Sequence, residues 1–97
     1  MRADQFLDDA SELIGLRGQE YGHPAINHMR IAELWTTYLE YPVKPEQVAI
    51  CMALVKIARS IESPKRVDNY SDGVAYMALG GMMATMDWEE FNAYSKE

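Results

Sequence analysis

Lys56 and Arg59 stand three residues apart in an otherwise almost wholly apolar segment, so a helix through them carries two cations on one face. Burying an uncompensated charge is costly. Such a pair needs anions opposite it, either carboxylates from a neighbouring element or the phosphate of a ligand. Further on, Asp68, Asn69 and Asp72 open another stretch. Asn69 and Asp72 are three apart, and Asp68 and Asp72 four apart, spacings that stack oxygen atoms on one helix face as a Mg²⁺ site requires. The same residues also suit a plainer role, with Asp68 capping the helix and Asp72 near its positive end. Two readings therefore stand side by side: internal ion pairs of Lys56 and Arg59 with Asp68 or Asp72, or a surface that takes an anion and a metal. Glu33 and Glu20 are the nearest further carboxylates, but neither belongs to a paired acidic motif.

Arg17-Gly18-Gln19-Glu20-Tyr21-Gly22 offers another kind of chemistry. A loop with two glycines can bring backbone N–H groups and an aromatic ring close to a ligand, although it serves equally as a helix connection. His23 and His28 lack a metal-ligand spacing and a cysteine partner, which argues against zinc. The chain has no Walker loop, dinucleotide fingerprint or nucleophile elbow. Cys51 lies in an apolar run with no second cysteine in the chain, so it reads as an inert core residue in a reducing compartment.

The elements that must position these residues are helices. Phe6, Leu7, Ala10, Leu13 and Ile14 fall at helical spacing with Asp8, Asp9 and Glu12 opposite, and this first helix should end near Gly18. Pro24 suits the first position of a second helix reaching about Glu40, with an inner face of Ile31, Leu34, Trp35, Tyr38 and Leu39. Pro45 opens a third. From Val48 to Ile61 nearly every position except Lys56, Arg59 and Ser60 is apolar, so this helix should be central and contacted from several sides. A fourth begins around Asp68, and its Gly80-Gly81 pair implies tight packing or a local kink, since each glycine costs about 1 kcal/mol relative to alanine inside a helix. Asp87-Trp88-Glu89-Glu90 has the form of a capping box opening a short last helix through Phe91 and Tyr94. No segment alternates with a period of two, and no repeat is present. The expectation is one all-α domain over residues 1–97, a compact bundle of four main helices and a short C-terminal one.

Composition bounds the function. At 97 residues, 48% hydrophobic and 25% charged, the chain is globular with a thin core, which favours a homo-oligomer. The net charge of −6 argues against non-specific nucleic-acid binding. Cations nevertheless gather between Lys44 and Arg66, with Lys44, Lys56, Arg59, Lys65 and Arg66 against only Glu46 and Glu62, enough for one small anion. No apolar stretch would span a bilayer, and MRADQFLDDASEL carries acids where a signal peptide would be apolar, so a cytoplasmic location is expected.

The succession RGQEYGHPAINHMRIAELW, PEQVAICMALVKIARS and VDNYSDGVAYMALG, from Arg17 to about Gly81, resembles a family of small phage and prophage proteins without an established function. That family is distantly similar to the MazG-like all-α nucleotide pyrophosphohydrolases, which hold Mg²⁺ with E-x-x-E and E-x-x-D motifs and split nucleoside triphosphates into monophosphate and pyrophosphate. Carried over, E-x-x-D falls on Asn69-Tyr70-Ser71-Asp72, where only Asp72 matches, and E-x-x-E is met by Asn27, Arg30 and Glu33. Most of the carboxylates needed to clamp metal ions are missing, which suits binding better than hydrolysis. The resemblance implies a nucleotide or related phosphorylated small molecule as ligand, a metabolite or defence signal to be sequestered. Lys56, Arg59 and Arg30 would meet phosphates, Asp72 and Asn69 a metal or ribose hydroxyls, and Tyr21 or Tyr76 the base. In the alternative of a Mg²⁺-dependent pyrophosphohydrolase, Asp68, Asp72 and Glu33 would hold the metal with Glu20. A third reading is an acidic interaction module that blocks a host protein.

Overall fold

The computed structural model describes the backbone of residues 1–95 and the side chains of residues 1–91. It contains five helices, α1 (Ala3–Tyr21), α2 (Pro24–Leu39), α3 (Pro45–Glu62), α4 (Val67–Thr85) and α5 (Trp88–Ser95), and no strand among the described residues. The all-α expectation holds. Tyr94, expected on the last helix, lies within α5 but beyond the described side chains.

Proline and small polar residues set the starts. Pro24 and Pro45 each occupy the first turn, where a missing N–H costs nothing. His23 caps α2 by accepting a hydrogen bond from Ala25 N at 3.1 Å. Asp87 caps α5, its carboxylate accepting from Glu90 N at 3.1 Å. Two boundaries differ from expectation. α1 continues through Gly18 to Tyr21 and stops at Gly22, whose φ of +81° is the conformation that favours glycine. α4 starts one residue before Asp68, with Arg66 at the cap position and no side-chain cap bond, because the Asp68 carboxylate is drawn outward to Arg66 Nε at 2.8 Å.

α3 and α4 form the central pair. α1 packs on α4 and α2 on α3, while α1 and α2 touch little. At Gly80 a Cβ would lie 3.6 Å from Ile50 Cγ1 and 3.7 Å from Ala49 Cβ, ordinary contact distances, whereas Gly81 faces open space. Gly80 thus lies against α3, but the packing there does not demand a glycine, and α4 runs unbroken through the pair. Ala25, Ala49, Leu79 and Met83 make a small buried cluster, closed by Ile14, Tyr76, Met86, Trp88 and Phe91. Trp88 anchors α5 by donating Nε1–H to Met83 O at 2.9 Å.

Two faces are not where periodicity put them. On α2 the buried residues are Ala25, His28 and Ala32, with Ile31 and Trp35 half-buried, while Leu34, Tyr38 and Leu39 are exposed. The apolar arc of α2 is wider than one neighbour can cover, and close approach selects its alanines. On α3 only Val48, Ala49 and Ala53 are buried; Ile50, Leu54, Val55, Ile57 and Ile61 are exposed, so α3 is central on one side only. Cys51 is exposed as well, contrary to its expected place in the core. No helix among the described residues is long and apolar enough to cross a membrane.

Candidate functional site

Asp72 is the meeting point of three helices. Its Oδ2 lies 2.8 Å from Lys56 Nζ of α3, and its Oδ1 lies 3.4 Å from Arg17 Nη2 of α1. The Lys56 and Asp72 side chains are 12% and 8% exposed, so this is a nearly buried pair. On its way to the carboxylate the Lys56 side chain passes Gly73, where an added methyl group would meet its Cβ at an ordinary contact distance of 3.8 Å. Of the two readings of Lys56, the internal ion pair with Asp72 is the one found. The pair adds little net stability over an apolar replacement, since desolvating both charges offsets their attraction, but losing one partner would strand the other.

Arg17 does more than complete the pair. Its guanidinium carbon lies 5.5 Å from the centre of the Tyr76 ring, one turn beyond Asp72, within cation–π range. Arg17 and Tyr76 form one wall of a cleft of about 290 Å³ at the joint between α1 and α2, with Tyr21, Asn27 and His28 among its other lining residues. The buried His28 has Nδ1 2.8 Å from Pro24 O, so Nδ1 carries the proton and donates, leaving Nε2 as an acceptor. The cleft thus presents a partly exposed cation, an amide, an imidazole acceptor and two phenol rings. A volume of this size admits a mononucleotide-sized ligand at most.

The other expected residues fall elsewhere. Arg59 lines a separate hollow of about 220 Å³ at the α3–α4 turn with Arg66, Asp68 and Asn69. Asn69 is buried and donates Nδ2–H to Ser63 O at 3.4 Å, and the Tyr70 hydroxyl donates to Pro64 O at 2.6 Å, so these side chains hold the turn together. The Arg66 guanidinium beside Asp68 holds its carboxyl below the usual carboxylate range. Arg30 and Glu33 are exposed on α2 and line neither cavity. Of the seven residues expected to bind a ligand, Tyr21 and Tyr76 share the cleft; Asp72 and Lys56 stand behind it as supports for Arg17.

Among the described residues, no three His, Cys, Asp or Glu side chains gather into a metal cluster. The donor set expected for Mg²⁺ does not fit one: both Asp72 oxygens face cations, Asp68 is paired with Arg66, and Glu33 sits apart on α2. His23 is a helix cap whose ring lies tilted against Phe91 at a centre distance of 4.9 Å, and His28 a cleft residue.

Sequence reasoning singled out the Arg17–Gly22 segment without assigning Arg17 a partner. Its signal was the four-residue interval from Arg17 to Tyr21, which places both on one helix face, matched by the same interval from Asp72 to Tyr76. The link between these pairs spans 55 residues of chain, and no local pattern encodes it.

Two phage proteins resemble the chain. The "Gene 55 protein" of Mycobacterium phage L5 is 39% identical over 92 residues, covering 93% of this chain and 57% of that protein. The "Gene 55 protein" of Mycobacterium phage D29 is 37% identical over 75 residues, covering 76% of this chain and 50% of that protein. The chain spans about half the length of the curated relatives it matches. No solved structure matches it. A family model described as "Domain of unknown function (DUF6378)" matches residues 5–84, the region that holds every residue of the cleft.

Proposed function

The chain belongs to the DUF6378 family, and we propose that it binds a small phosphorylated ligand with a flat ring, of the nucleotide class, in the cleft between Arg17, Tyr21 and Tyr76. One observation carries this reading. Arg17 is held from behind by Asp72 and from the side by the Tyr76 ring, yet its side chain is 37% exposed at the wall of the cleft. A guanidinium fixed in this way presents its remaining N–H groups to a phosphate without reordering, which lowers the cost of binding. Tyr21 and Tyr76 offer ring faces for a base, and Asn27 with His28 Nε2 offers a donor and an acceptor for its edge. Binding rather than turnover fits, because Asp72 is committed to cations and, among the described residues, no three His, Cys, Asp or Glu side chains gather into a metal cluster. Sequestration of a nucleotide-like metabolite or signal is the activity such a site would serve.

A thermal-shift screen with nucleoside mono-, di- and triphosphates, cyclic nucleotides and inorganic phosphate tests the reading. At least one nucleotide is expected to raise the melting temperature, because a ligand specific for the folded state stabilises it. Arg17→Ala and Tyr76→Ala are expected to abolish that shift, while Arg59→Ala, outside the cleft, leaves it intact. No shift across the panel, or a shift indifferent to Arg17→Ala, would sink the proposal.

A further inference from the structure

One side of α3 is covered only in part within the chain, since Ile50 touches α4 near Gly80 and the rest of the stripe is more exposed. Ile50, Leu54, Ile57 and Ile61 recur at intervals of four, three and four, which puts all four on one side of the helix. Each is exposed, from 41% at Ile50 to 82% at Ile61. Beside them runs an apolar groove of about 500 Å³ between α3 and α4, past Ile57, Val74 and Met77. The surface as a whole is larger than the mass warrants. The chain exposes 7053 Å², whereas a compact monomer of 11.1 kDa exposes roughly 5,700 Å². The excess, roughly 1,300 Å², exceeds the ~800 Å² that each partner buries in a stable complex.

The stripe also has a symmetry that identifies its occupant. Its intervals read the same in both directions about a midpoint between Val55 and Lys56. Two copies of α3 laid antiparallel therefore match Ile50 with the second copy's Ile61 and Leu54 with its Ile57. Such a surface is complementary to itself, which is what a two-fold interface requires.

We infer that the Ile50–Leu54–Ile57–Ile61 face of α3 is a self-association surface, on which a second copy of this chain docks antiparallel about the Val55–Lys56 midpoint. The partner's α3 stripe packs against the first and fills the groove beside Met77.

Light scattering coupled to size exclusion, followed by sedimentation equilibrium on the whole chain, tests this. The expected mass is twice that of one chain. Leu54→Glu is expected to weaken association by roughly tenfold or more with the helical circular dichroism unchanged. Ile61→Glu, at an even more exposed position, repeats the test should Leu54→Glu disturb folding. Leu34→Glu, on the exposed side of α2, leaves the mass doubled. A single-chain mass for the unaltered protein overturns the inference. So does dissociation by Leu34→Glu but not by Leu54→Glu.

Discussion

Asp72 owes its position to chemistry that reaches far along the chain. The cation and the carboxylate on adjoining helices were both legible as members of an ion pair, since a lysine in an apolar helix needs an anion and Asp72 was one of two candidates. Arg17 was not legible as the third member, because nothing local distinguishes an arginine near the end of an amphipathic helix from a solvated one. The cost of the arrangement is predictable. Asp72→Asn leaves Lys56 nearly buried without its counter-charge and should destabilise the fold by about 3 kcal/mol, read as a lower midpoint in urea denaturation with unchanged slope. Lys56→Met combined with Asp72→Leu removes both charges and should recover most of that loss, since Arg17 can turn to solvent. Equal stability of Asp72→Asn and the parent would mean that the pair is not buried in solution.

Helices were the most readable level. Pro24, Pro45 and Asp87 mark starts for reasons internal to a single turn of backbone, and all three hold. The end of α1 was misplaced because Gly18 and Gly22 look alike in sequence, and only Gly22 takes a positive φ. Faces were read less well, since periodicity defines an apolar arc without saying which part of it a neighbour will cover. The glycine pair of α4 shows how packing divides two identical residues. Gly80 lies under α3, whereas a Cβ on Gly81 meets nothing within 4 Å. Gly81→Ala should therefore gain the helical preference of alanine, about 1 kcal/mol, seen as a higher denaturation midpoint. Gly80→Leu should instead push α3 away and lower it. A Gly81→Ala variant less stable than the parent would mean that this side of α4 is covered.

At the scale of the molecule, the short chain and its many apolar residues already implied too little interior to hide them, and the exposed sides of α2 and α3 are where the surplus lies. Composition could not say which of these sides a second copy would cover, because the answer depends on how α3 and α4 fit together. If association through α3 is part of the folded state, mass action ties stability to concentration. The melting temperature of the unaltered chain should then rise with protein concentration, and that of Leu54→Glu should be lower and nearly constant. Matching flat profiles for both would separate folding from association.

The connection between α1 and α2 consists of Gly22 and His23 alone, and these two helices barely touch. Arg17 and Tyr21 stand on one side of that connection, Asn27 and His28 on the other. The cleft is therefore the jaw of a joint rather than a hole in a rigid bundle, and its gape is set by the backbone angles of a glycine and by a histidine whose ring is braced against Phe91. α4 holds α1 along its length, through the Phe6 and Tyr70 rings, the hydrogen bond from Ser71 to Asp9 and the Arg17–Asp72 pair, so a ligand would meet an Arg17 wall that is already set in place.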